Sequence, residues 1–115
     1  MARSERLICR SDAICEGGAG CRFEVRRGVE TLPAFAIRFR GVVRAYINEC
    51  RHQSTELDWS PGEFFDAERL YLVCATHGAL YQPDTGLCIE GPCRGARLGI
   101  VAVRERDGAI YCSED

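Results

Sequence analysis

Apolar and polar residues alternate at a period of two in several stretches of this chain. Cys21-Arg22-Phe23-Glu24-Val25 alternates, and Phe35, Ile37 and Phe39 fall on one face of a second run. That period marks half-buried strands. Leu7-Ile8-Cys9 reads as a short strand. Val42 to Ile47 resumes after Gly41 with β-branched and aromatic residues, which predicts a hairpin about Arg40-Gly41. Val29 to Pro33 is expected to be a connection, since proline has no N–H to give a ladder.

The second half carries shorter runs. Asp66 to Arg69 is expected to form one helical turn, and Leu70-Tyr71-Leu72-Val73 a strand. Ala79-Leu80-Tyr81 and Leu87-Cys88-Ile89 predict two strands about a Pro83-Asp84-Thr85-Gly86 turn. Residues 99–104 predict a strand, and Asp107-Gly108 a turn into Ala109-Ile110-Tyr111-Cys112. Trp59, the single tryptophan, is expected to be a packing anchor. The fold class is therefore all-β, built of small antiparallel sheets.

At 115 residues the chain is expected to be one domain. Its 15 basic residues, all arginine, nearly balance 17 acids, which argues against nucleic acid as a partner. No apolar run reaches the roughly 18 residues of a membrane span, so no membrane partner is expected. The N-terminal residues lack an apolar signal core. The expected location is cytoplasmic, where the 8 cysteines should mostly be thiols. Cys9, Cys15 and Cys21 recur every six residues, yet no histidine is left to join them in a metal site. Cys88 and Cys93 flank a glycine- and proline-bearing segment, Glu90-Gly91-Pro92, and suit either a tuning role or a local disulfide. Cys112 is left without an assigned role.

Candidate chemistry concentrates between Cys50 and His77. The chain's 2 histidines each sit beside a cysteine, as Cys50-Arg51-His52 and Cys74-Ala75-Thr76-His77. Each pair offers one thiolate and one imidazole, so two loops facing each other could hold a metal centre. Two readings follow: a structural Cys2His2 zinc site, or a two-iron cluster with its cysteines on one iron and its histidines on the other. Zinc fingers usually pair like with like. Mixed pairs suit the cluster better, because each loop then reaches both irons. Gly78 directly after His77 would let the backbone approach a bulky group.

The pattern C-x-H…C-x-x-H-G-A…G…G-P, from about Asn48 to Pro92, resembles the Rieske family. The resemblance implies one [2Fe–2S] cluster per chain, bound by Cys50, His52, Cys74 and His77. It also implies a basal β part at 1–46 and 95–115, carrying an inserted cluster-binding subdomain at 47–94. Respiratory members of the family carry an extra cysteine in each cluster loop, joined as a disulfide. Thr55 and Thr76 stand at the corresponding places here. A serine that bonds to a bridging sulfide is replaced by Ala79, and a tyrosine that bonds to a cysteine sulfur is kept as Tyr81, where packing is an equal reading. Fewer donors to sulfur imply a low potential within the Rieske range.

The implied function is that of a Rieske-type ferredoxin, a non-enzymatic carrier passing one electron at a time. Its partners would be a reductase as donor and an oxygenase or similar redox enzyme as acceptor. The alternatives are a small Rieske subunit of a reductase such as nitrite reductase, or a zinc-stabilised interaction module. No spare histidine is present for the mononuclear iron site of a catalytic oxygenase subunit. Residues 47–94 hold eight acids against three arginines, and residues 1–46 nine arginines against five acids. The expectation is an acidic cluster end, with Glu49, Glu56, Asp58 and Glu90 around the docking face.

Overall fold

In a computed structural model of the protein, residues 4–49, 56–58, 62–74 and 78–114 are described. Ten strands follow in order: β1 (Ser4–Arg10), β2 (Cys21–Arg27), β3 (Glu30–Phe39), β4 (Val42–Ile47), β5 (Leu72–Val73), β6 (Leu80–Tyr81), β7 (Cys88–Glu90), β8 (Ile100–Val101), β9 (Val103–Arg106) and β10 (Ala109–Glu114). They make three sheets, ordered β1-β10-β9, β2-β3-β4-β8 and β5-β6-β7, with every strand pairing antiparallel. The only helical element among the described residues is a 3₁₀ turn at Ser11–Ala13.

The alternation along β3 decides how the sheets stack. Phe35 and Ile37 join one buried cluster with Tyr46, Leu57, Phe64, Leu72 and Tyr81. Ala34 and Ala36 join another with Val25, Ala45, Val101, Ile110 and Cys112. The four-stranded sheet is thus a wall buried on both faces. Small alanines of β3 face the β1-β10-β9 sheet, while its aromatic residues face β5-β6-β7. Phe35 stacks on Phe64 at 4.1 Å between ring centroids and meets Tyr46 at 6.0 Å. Burying such a ring contributes about 1.5–3 kcal/mol, so this wall anchors the half of the molecule that carries Cys74.

The predicted hairpins form as expected. Arg40 and Gly41 take φ of 53° and 79°, and Asp107 and Gly108 take 51° and 75°. Positive φ at both central residues gives a two-residue turn whose twist matches that of the strands.

Four local expectations fail. Pro33 lies inside β3, opposite Glu24 of β2. Its carbonyl points toward β4 and accepts from Asn48 N at 2.8 Å, so the missing N–H faces that same side, just past the last β3–β4 pair. A proline there removes no ladder bond. Asp66 to Arg69 is a tight turn and not a helical one. Arg69 N bonds to Asp66 O, and the Asp66 carboxylate accepts from Leu70 N and Tyr71 N. The side chain thereby competes for N–H groups that a helix would use. That turn also shortens the expected strand to Leu72–Val73. The expected strand at 99–104 breaks at Ala102 into β8 and β9, which join different sheets. Trp59 lies outside the described residues.

Candidate metal centre

Among the expected ligands Cys74 is described; Cys50, His52 and His77 lie outside the described residues, as do Thr55 and Thr76. Cys74 follows β5 and is fully buried. Its N–H donates to Ala79 O at 2.9 Å, and its carbonyl accepts from Gly78 N at 2.8 Å. Backbone bonds therefore tie Cys74 to Gly78 and Ala79, and the Leu72–Tyr81 and Val73–Leu80 pairs hold β5 and β6 in register. Gly78 takes a φ of 72°, a conformation that favours glycine, and among the described residues a Cβ there would meet nothing within 4 Å.

The stems of the first predicted ligand loop are also fixed. Asn48 follows β4 directly and is almost wholly buried. Its Oδ1 accepts from Leu57 N at 2.8 Å, and its Nδ2 donates to Asp58 Oδ1 at 3.0 Å. Asp58 Oδ2 accepts from Gly62 N at 3.0 Å and lies 3.4 Å from Arg22 Nε. Arg22 also pairs with Glu56 at 2.6 Å, and that bond holds the guanidinium pKa above its usual value. One amide thus ties the chain entering residues 50–55 to the chain leaving them, and Arg22 ties both to β2. The expectation that Asp58 offers charge to a docking face is corrected. Asp58 is buried and braces the loop stem, whereas Glu56 stays exposed while paired with Arg22. One sign of this device is legible in the sequence, a polar Asn48 directly after the apolar Ala45-Tyr46-Ile47.

A third segment packs beside Ala79. After β7, Gly91 takes φ of 109°, and a Cβ on it would fall 3.0 Å from Ala79 Cα. Ala79 itself is buried. The Tyr81 hydroxyl lies 3.2 Å from Cys93 Sγ, so its described sulfur contact is to a cysteine outside the expected ligand set. Cys93 Sγ in turn lies 3.1 Å from Cys88 Sγ. At the far end of the molecule, burial and then the neighbouring Cys21 push the Cys9 thiol up to about 12, while Cys15 is exposed. Among the described residues, no three histidine, cysteine or acidic side chains gather as a metal site.

The family model of the Rieske [2Fe-2S] domain matches residues 7–103. The chain belongs to the Rieske family. That span takes in all four expected ligands and the whole β2-β3-β4-β8 sheet, and ends before β10.

Solved structures agree on the fold. The ferredoxin of carbazole 1,9a-dioxygenase from Nocardioides aromaticivorans IC177 superposes with a TM-score of 0.74 at 20% identity, over 97% of this chain and 99% of that one. A chain from a complex of reduced oxygenase and oxidised ferredoxin in carbazole 1,9a-dioxygenase gives 0.73 at 21% identity, over 96% and 94%. The terminal oxygenase of carbazole 1,9a-dioxygenase from Novosphingobium sp. KA1 gives 0.77 at 19% identity, over 96% of this chain but 30% of that one. No curated protein matches the chain in sequence.

The described residues fit the [2Fe–2S] group that the family's name implies. A buried thiol at Cys74 is a soft donor shielded from water. Its backbone is tied to Gly78 and Ala79, and among the described residues nothing crowds Gly78.

Proposed function

We propose that this protein is a Rieske-type ferredoxin, an electron carrier and not itself an enzyme, serving an oxygenase or a similar redox enzyme. Cys50, His52, Cys74 and His77 would hold one [2Fe–2S] cluster within residues 47–94, carried on the basal sheets of 1–46 and 95–115. The carrying observation is the family match over residues 7–103, which encloses both mixed ligand pairs. Near-complete overlap with a solved ferredoxin supports a carrier, whereas the likeness to a terminal oxygenase is confined to 30% of its chain. Among the described residues no helix is long and apolar enough to cross a membrane. The reading places the protein in the cytoplasm, with a reductase as donor.

When bound, the cluster would accept and release one electron at a time. The chain's own part is to hold still around it. Asn48, Asp58 and Arg22 tie together the chain on either side of residues 50–55, and backbone bonds tie Cys74 to Gly78 and Ala79. Phe35, Phe64 and Leu72 keep water from the buried side of Cys74. Fixed geometry keeps reorganisation on gaining charge small, which is what a carrier needs.

The test is chemical analysis of the purified protein. The expected result is about two iron and two acid-labile sulfides per chain, and a rhombic EPR signal after reduction. A colourless protein with one zinc would refute the reading.

A further inference from the structure

We propose that Cys88 and Cys93 form a reversible disulfide, making the loop after β7 a site of oxidation by low-molecular-weight disulfides. Both are thiols in this structure, with their sulfurs 3.1 Å apart. A disulfide needs about 2.05 Å, so closure asks for roughly 1 Å of sulfur movement, which side-chain rotation supplies.

The backbone already holds the two residues together. Cys88 N donates to Ala96 O at 2.7 Å, and Cys88 O accepts from Gly95 N at 2.9 Å. Cys93 O accepts from Ala96 N at 2.9 Å. Residues 88–96 are thus a closed loop before any covalent bond forms.

Exposure assigns the roles. Cys93 is half-buried and Cys88 is buried, so Cys93 is the attacking thiol. The Tyr81 hydroxyl, 3.2 Å from Cys93 Sγ, is placed to donate to a thiolate there. Cys93 thiolate attacks one sulfur of the oxidant RSSR, forming Cys93–S–SR and releasing RS⁻. Cys88 then gives up its proton to solvent and attacks the Cys93 sulfur, releasing the second RS⁻. The protein loses two electrons and two protons, and one RSSR becomes two RSH. Cys9 beside Cys21 lacks this reactivity, since its thiol keeps its proton up to about 12.

The consequence is local. Gly91 lies between the two cysteines and against Ala79, whose carbonyl accepts from Cys74 N. Oxidation would tie down the loop that backs Ala79. The bond itself does not depend on which metal the chain holds.

The experiment incubates the purified holoprotein with oxidised glutathione, caps remaining thiols with iodoacetamide, and digests after arginine and glutamate. Cleavage after Glu90 separates the two cysteines. The expected product is the peptide Gly91 to Arg94 linked to the peptide ending at Glu90, and lost on reduction with dithiothreitol. Fragmentation should place the link on Cys88 and not on Cys74. In Cys88→Ser the glutathione should remain on Cys93, and in Cys93→Ser no adduct should form in this loop. A stable glutathione adduct on wild-type Cys93, capped Cys88 and Cys93 after oxidation, or a link from Cys93 to another peptide of the chain in Cys88→Ser would each overturn the proposal.

Discussion

The side-chain amide of Asn48 donates to the buried carboxylate of Asp58 at 3.0 Å, joining the two stems of the loop that contains Cys50 and His52. Asn48 Oδ1 meanwhile satisfies Leu57 N. Removing the amide by Asn48→Ala leaves a buried carboxylate oxygen and a buried N–H without these partners. Each such group costs about 1–3 kcal/mol, so a loss of roughly 2–6 kcal/mol is expected. Urea unfolding would read it as a lower midpoint, and the iron should be released faster on dilution with chelator. Arg22→Gln should cost less, about 1 kcal/mol, since Arg22 is part-exposed. An Asn48→Ala midpoint equal to wild type would remove the bracing role.

The contact between Ala79 and Gly91 carries the second prediction. Family resemblance sets a serine hydroxyl where this chain has Ala79, and a missing donor to sulfur disfavours the reduced state. The wild-type potential should lie near the low end of the Rieske range, around −150 mV. Ala79→Ser should raise it by tens of mV, since a hydrogen bond of about 1 kcal/mol corresponds to roughly 40 mV for one electron. Gly91→Ala cannot follow without strain, because its Cβ would sit 3.0 Å from Ala79 Cα at a φ of 109°. That variant should lose about 1–3 kcal/mol of stability. Film voltammetry giving a positive wild-type potential near neutral pH would contradict the first half of this prediction.

What was legible in the sequence was what depends on nearest neighbours. The alternation of Phe35, Ile37 and Phe39, and the turns at Arg40-Gly41 and Asp107-Gly108, need only local geometry, and they predicted the strands correctly. Pro33 misled because a missing N–H disqualifies a strand only if a partner strand reaches that side, and β4 ends one pair earlier. Asp66 misled because its carboxylate, invisible to periodicity, takes the N–H groups of Leu70 and Tyr71. Acidity likewise suggested a docking role for Asp58. Its partners, Arg22 and Asn48, are far off or of unremarkable type in the sequence, and only the fold joins them. The family was legible because the paired cysteines and histidines restrict both residue type and spacing, and the family match spans them.

The acid response should come from the pair that joins two sheets. Arg38 on β3 binds Glu105 on β9 at 2.6 Å, and this hydrogen bond, with help from Ser11, lowers the Glu105 carboxyl to about 2. An unfolded glutamate titrates near 4.3. The folded state therefore binds its proton less readily than the unfolded one. The pair's stabilisation is present above about pH 4.5 and is lost as pH falls toward 2. Allowing for solvent around both side chains, about 1–2 kcal/mol is at stake. Glu105→Gln should therefore lower stability at pH 7 and flatten its decline between pH 5 and 2, measured by urea midpoints across that range. Parallel pH curves for variant and wild type would show that other carboxylates control acid unfolding.

Electron delivery should depend on salt through the acids that remain free of structural duty. With Glu56 and Asp58 committed to Arg22, the exposed Glu90 and the half-buried Glu49 are the carboxylates next to the predicted ligand loops. Exposed charge sets the rate of encounter more than final affinity. Its reach shrinks from about 30 Å at 0.01 M salt to about 10 Å at 0.1 M. Stopped-flow transfer to the physiological acceptor should slow over that range. Glu90→Lys should slow it at low salt and matter little at high salt, without changing the urea midpoint. Glu56→Lys should instead lower the midpoint, because it sets two cations beside each other at Arg22. This contrast separates docking from bracing. Rates flat with salt in the wild type would remove electrostatic steering and leave apolar docking as the means of encounter, with the metal centre unaffected.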